Sequence, residues 1–204
     1  MIETPHGPAR AHVLTARGEA RAALMLGHGA GGGIQARDLQ AVTVVARELG
    51  FTVALVEQPY VVAGRRSPAP AHQLDTAWLA VVEHLRAGEL GELPLVTGGR
   101  SSGARVACRT AAETGAIGVL CLAFPVHPPG RPEKTRLDEL DGVAVPALVI
   151  QGQADPFGMP PEAPGRRVVV VSGTHSFSRP LTGLLEAARE WLARIAVGAA
   201  EGSR

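Results

Sequence analysis

The chain has 204 residues, 46% hydrophobic and 19% charged, with a formal net charge of +1 and a mean hydropathy of +0.12. That length suits one domain over residues 1–204 with a sizeable core, and the balance of apolar to charged residues excludes a disordered chain. So small a net charge has no field to gather nucleic acid or an anionic membrane, and neither partner is expected.

Short Val- and Leu-rich runs alternate with longer helical patterns, which predicts an α/β fold: a mostly parallel sheet of about seven strands with helices on both faces. In chain order the predicted strands are His12 to Ala16, Ala22 to Leu26, Thr52 to Val56, Leu95 to Thr97, Gly118 to Ala123, Ala147 to Gln151 and Val168 to Val171. The tight Arg17-Gly18-Glu19 turn predicts that the first two pair antiparallel. Helical spacing covers Leu39 to Leu49, Leu74 to Leu85, Ala104 to Ala111 and Leu181 to Ile195, the last with Leu184, Leu185, Ala188, Trp191 and Leu192 toward the sheet. Gln58 to Ala71 and His127 to Asp141 read as loops, the second ending in a charged piece compatible with a helix. The tail from Gly198 to Arg204 has nothing to bury and is expected to fray. The opening MIETPHGPAR lacks the apolar run of a signal peptide, and no stretch is long enough to span a membrane, so a cytoplasmic protein is expected. Cys108 and Cys121, the only cysteines, lie among apolar neighbours and read as core rather than as a redox or metal pair.

LGHGAGGG, from Leu26 to Gly33, contains a G-x-G-x-x-G at Gly27, Gly29 and Gly32 after a strand, and Glu57 ends the next strand where a ribose-binding acid would stand. Against a dinucleotide site, Ile34 to Asp38 intervene before apolar helical spacing begins. Asp38, read as an N-cap, would fill the positive helix end that a phosphate needs. The other use of such a turn is to aim backbone N–H groups at a developing oxyanion, which needs a nucleophile elsewhere.

Gly99-Arg100-Ser101-Ser102-Gly103 is a G-x-S-x-G between the strand LPLVTG and a helix-like ARVAC. A sharp strand-to-helix turn forces its central Ser to positive φ, and its flanking glycines leave room for the turn. The base and acid that such a serine requires belong on loops after later strands. VPALVIQGQADPFG supplies Asp155, and RRVVVVSGTHSF supplies His175 after the next strand. His6, His12, His72 and His84 lie outside the strand ends where the base belongs. His127 comes one strand early and reads as a loop or pocket residue. The oxyanion donors are then the N–H groups of Ala30 and Ser102, with His28, Gly29, Gly31, Arg100 and His127 as candidate substrate contacts. No metal and no cofactor is called for.

With LGHGAGGG, GGRSSGARVA, LAFPVHPPGRPEKTR, QGQADPFG and GTHSF in this order, the chain resembles the α/β-hydrolase superfamily. The likeness is to its short branch without a cap domain, related to dienelactone-hydrolase-like proteins and to the hydrolase-like domain of a nonspecific-lethal complex subunit. The resemblance implies Ser101 as nucleophile, His175 as general base and then acid, and Asp155 as the carboxylate that orients it. Dienelactone hydrolases use Cys where this chain has Ser101, so their lactone substrate does not carry over. The fold's first hairpin reads as shortened. Few residues separate the fifth and sixth strands, so an open site for a small or exposed carboxylic ester or thioester is expected. A hydrolase-like interaction module without turnover is the alternative. The sequence names neither the acyl group nor the leaving group, and leaves the oligomeric state open.

Overall fold

A computed structural model of the chain describes residues 1–31 and 33–202, with side chains as far as Gly198. One seven-stranded sheet runs in the order β1-β3-β2-β4-β5-β6-β7. Its strands are β1 (Arg10–Leu14), β2 (Ala22–Gly27), β3 (Phe51–Glu57), β4 (Leu95–Arg100), β5 (Gly118–Leu122), β6 (Ala147–Gly152) and β7 (Arg166–Val171). All neighbours pair parallel except β1 with β3. The inner strands β2, β5 and β6 are buried along their whole length, the pattern of parallel strands covered on both faces.

Helix α1 (Arg37–Glu48) and the long α6 (Thr182–Gly202) pack on one face of the sheet. The other face carries α3 (Ala71–Arg86), α4 (Ser102–Arg109) and α5 (Leu137–Asp141), with the single-turn α2 (Pro59–Val62) between β3 and α3. On that face Arg109 joins Asp75 of α3 to Glu139 of α5, and Arg105 also binds Glu139, so α4 is held by charge as well as by packing. No helix among the described residues is long and apolar enough to cross a membrane.

Three expectations are corrected. The first strand pairs with β3 rather than with β2, because both edges of β2 are taken by parallel β3 and β4. The half-exposed β1 goes to the rim of the sheet instead, where Arg10 and His12 both reach Glu57, at 3.2 and 3.1 Å. The Gln58 to Ala71 loop contains α2. Helix α6 runs past Ile195 to Gly202 where a frayed tail was expected, while Ser203 and Arg204 lie outside the described residues.

Candidate active site

Ser101 stands between β4 and α4 with φ 53° and ψ −111°. A side chain in this left-handed region costs about 1–2 kcal/mol, and the surrounding packing enforces it. A Cβ on Gly99 would lie 2.5 Å from the Gly27 carbonyl oxygen, and one on Gly103 would overlap the Gly27 backbone. Two glycines therefore let α4 press against the end of β2, and the chain turns at Ser101 between them. Below the turn, the Ser101 N–H donates to the Leu122 carbonyl at 2.9 Å, which seats the elbow on β5.

His175 arrives on the loop after β7. Its Nε2 lies 2.8 Å from Ser101 Oγ, and its Nδ1 lies 2.9 Å from Asp155 Oδ2. A carboxylate can only accept, so Nδ1 carries the proton and Nε2 is left to accept from the serine hydroxyl. The arrangement is that of a nucleophile beside a base that is itself oriented by an acid.

The Asp155 side chain is fully buried. Its Oδ1 accepts from the Phe157 N–H at 2.9 Å, and its Oδ2 also accepts from Gln151 Nε2 at 2.9 Å. The same Gln151 amide faces the Phe124 and Gly158 carbonyls at 3.0 and 2.9 Å. Three acceptors around one nitrogen fix which end of the amide points there. The Phe157 ring meets the His175 ring edge-on, with centroids 4.4 Å apart. Neither Gln151 nor Phe157 was singled out from the sequence. A glutamine inside the apolar strand LVIQG was the available signal for the first, and no spacing rule marks the second.

On the other side of the serine, Ser102 opens α4, so its N–H is among the helix's first four, which lack intrahelical acceptors. The glycine loop approaches closely: a Cβ on Gly29 would lie 3.5 Å from Ser101 Cβ and 3.0 Å from Arg100 Nη1. Tyr60 Oη, on α2, donates to the Ala30 carbonyl at 3.1 Å. His28 Nδ1 donates to the Gly29 carbonyl at 2.9 Å, and the Gln58 N–H donates to His28 Nε2 at 3.1 Å. Two loop carbonyls are thus tied back by the His28 and Tyr60 side chains. Gly31 is exposed and has no neighbour within 4 Å of a Cβ placed there, and Gly32 lies outside the described residues.

The expected substrate contacts divide accordingly. Gly29 lies at the site. His28 holds the loop: it is 2% exposed, both ring nitrogens are engaged with backbone, and burial lowers its pKa from the ordinary 6.5. The Arg100 guanidinium is already engaged within the protein, with Nε on Asp38 Oδ2 at 2.9 Å and Nη2 on the His175 carbonyl at 2.9 Å. His127 holds the Pro128 carbonyl through Nδ1 at 2.9 Å and packs against the Gly158 turn.

The dinucleotide reading of Gly27, Gly29 and Gly32 meets three obstacles. Helix α1 starts only at Arg37, beyond the glycines. Asp38 is not the N-cap but sits buried in the first turn, already paired with Arg100. Glu57, the expected ribose acid, is engaged by Arg10 and His12. Cys108 and Cys121 are both buried with sulfurs 3.5 Å apart. That contact first, and burial second, push the Cys108 thiol well up, so it stays protonated and serves as core. No group of three or more His, Cys, Asp or Glu among the described residues is placed to hold a metal.

A seven-stranded, mostly parallel sheet with a serine on a strained strand-to-helix turn at its carboxyl end defines an α/β-hydrolase fold. Only α5 and short loops lie between β5 and β6, so no cap is inserted there. The family model described as an alpha/beta hydrolase domain matches residues 20–191, and the chain belongs to that family, which makes it a hydrolase by class. It is similar to XC6422 of Xanthomonas campestris, a serine hydrolase without a lid, at 25% identity and TM-score 0.78, over 95% of this chain and 92% of that one. Est1E of Butyrivibrio proteoclasticus, solved with ferulic acid, superposes with TM-score 0.75 at 18% identity over 93% and 96% of the two chains. A dienelactone hydrolase from Anabaena variabilis does so with TM-score 0.73 at 18% identity over 95% and 94%. At 18% identity these two likenesses speak for the fold alone.

Proposed function

We propose that the protein is a serine hydrolase of small or solvent-exposed carboxylic esters or thioesters, with Ser101, His175 and Asp155 as its triad. The observation that carries this reading is the 2.8 Å approach of His175 Nε2 to a Ser101 hydroxyl held at φ 53°. Strain lifts that hydroxyl clear of β4, and the base already sits within proton-transfer reach.

In the reaction, Ser101 Oγ bonds to the acyl carbon as its proton passes to His175 Nε2. Asp155 holds the Nδ1 proton and balances the imidazolium charge. The oxygen that becomes negative is met by the N–H groups of Ala30 and Ser102; losing one such donor typically slows a reaction about 100- to 1,000-fold. The carbon–oxygen or carbon–sulfur bond to the leaving group then breaks, and His175 returns the proton to the departing atom. Water, deprotonated by the same imidazole, attacks the acyl-enzyme and releases the acid and Ser101. The absence of a cap between β5 and β6 favours acyl groups that need little enclosure. XC6422, also without a lid, supports the same open architecture.

The test is a series of 4-nitrophenyl esters of increasing acyl length, assayed with the protein and with Ser101→Ala. The reading expects turnover greatest for acetate and propionate and reduced about 10⁴-fold or more by Ser101→Ala. Absence of turnover across the series in folded protein would favour the interaction-module alternative.

A further inference from the structure

His175 leaves the edge strand β7 yet must work at β4, three positions inward in the sheet order. At about 4.8 Å per strand its loop has to reach back roughly 14 Å across the ends of β6 and β5. Part of that path is visibly fixed. Over β6, the Ala154 N–H donates to the Gly173 carbonyl at 3.0 Å, and a Cβ on Gly152 would overlap the Thr174 carbonyl, so the loop lies directly on the strand end. Behind the histidine, Phe177 is buried in the core that α1 and α6 share.

At the far reach, where Asp155 orients the His175 ring, the β4 side holds the loop through the Arg100 side chain. Arg100, the last residue of β4, donates from Nη2 to the His175 carbonyl at 2.9 Å and to Ser176 Oγ at 3.2 Å. Apart from the Ser101–His175 contact itself, these are the only hydrogen bonds between the β4 end and the histidine loop among the described residues. The guanidinium is in turn aimed by Asp38 of α1, which takes its Nε at 2.9 Å, with side chains 17% and 7% exposed. Asp38 Oδ1 accepts the Leu39 N–H at 2.9 Å, so the carboxylate is itself fixed to α1. Arginine suits this position because its planar fork can meet a carboxylate on one edge and a carbonyl on the other, which a lysine ammonium on a flexible stem cannot.

We infer that Arg100, aimed by Asp38, is the tether that sets His175 over the nucleophile: a positioning residue rather than a substrate contact. The inference rests on the proposed triad for its kinetic consequence, and on geometry alone for its structural one. Its expected signature is a fall in kcat without a rise in KM, because the acyl site is untouched while the base is loosened; misplacing a catalytic group by about 1 Å can cost on the order of 100-fold. A cleft of about 250 Å³ lined by Asp38, Arg100, Ser176 and Phe177 opens beside the pair, so a small cation can reach the place of a deleted side chain.

The test compares Arg100→Lys and Arg100→Ala with the unaltered protein by 4-nitrophenyl acetate kinetics, thermal melting, and the downfield proton resonance of His175 Nδ1–H. The tether predicts folded variants with kcat reduced about 10- to 100-fold, KM within about twofold and a broadened resonance. Added guanidinium ion should partly restore Arg100→Ala but not Arg100→Lys, whose ammonium fills the space. Unchanged kcat with a sharp resonance would overturn the inference, and so would a raised KM at unchanged kcat, which would return Arg100 to the role of substrate contact. If the unaltered protein does not cleave the ester yet its resonance depends on Arg100, the tether stands and the proposed reaction falls. Should Arg100→Ala not fold, Arg100→Lys decides.

Discussion

On the β6 and β7 side of the sheet's carboxyl end, Asp155 and His175 are fixed by side chains: Gln151 and Arg100 through hydrogen bonds, and Phe157 through an edge-on ring contact. On the β2 side, the glycine loop is fixed through its own backbone carbonyls, drawn back by His28 and Tyr60. The two designs match what each half must present. The proposed base and its acid are side chains, so their torsions need buttresses. The proposed oxyanion site is built from N–H groups, so what it would need set is the orientation of peptide planes, and gripping the carbonyls sets that orientation.

The largest effect should come from breaking the buttressed half. Gln151→Leu keeps most of the volume but removes a hydrogen bond to the Asp155 carboxylate and leaves the Phe124 and Gly158 carbonyls without their buried partner. A bond to a charged group is worth about 1.5–3 kcal/mol, which converts to a loss of roughly 10- to 100-fold in kcat, accompanied by a lower melting temperature. Steady-state kinetics and calorimetry on the same preparation check both parts.

The carbonyl-gripped half should respond more mildly. Tyr60→Phe deletes one hydrogen bond to Ala30, worth about 0.5–1.5 kcal/mol, and predicts a kcat lowered by about 2- to 10-fold with KM little changed. Burial also pushes the Tyr60 hydroxyl up to about 12, so it remains a donor through the working range of pH.

The smallest effect is in stability and sharpens the same comparison. His28 must stay neutral to accept the Gln58 N–H, and burial lowers its pKa below 6.5, so the unfolded chain binds a proton that the folded one resists. Stability therefore rises with pH through the window below 6.5 and is fully present above it. Denaturant titrations at several pH values should show a shallower acid dependence in His28→Asn than in the unaltered protein, since that variant has no ring to titrate.

Most of the sheet was legible because parallel strands buried on both faces leave short apolar runs that nothing else explains: ALMLG, FTVALV, GVLCL and ALVIQG all became strands. The pairing of β1 was not, since a tight turn in sequence says nothing about which edge is already occupied. Ser101, Asp155 and His175 were legible through order and position at strand ends, and the structure brings the three side chains together. Their supports were hidden for a different reason. Arg100 and Asp38 are 62 residues apart, and a charged residue in a helix's first turn reads locally as a cap until a distant guanidinium claims it. Ala123, at φ 52°, takes a left-handed conformation that an alanine does nothing to announce.

The central claim is that the Ser101 hydroxyl is an activated nucleophile at the meeting point of β4, β6 and β7. Intact-mass and peptide mass spectrometry after exposure to a fluorophosphonate measures that property directly, with no need to know the natural substrate. The account predicts one covalent phosphonyl adduct per chain, carried by Ser101, absent in Ser101→Ala and formed far more slowly in His175→Ala. A folded protein that takes up no adduct, or takes it up on another residue, would contradict it.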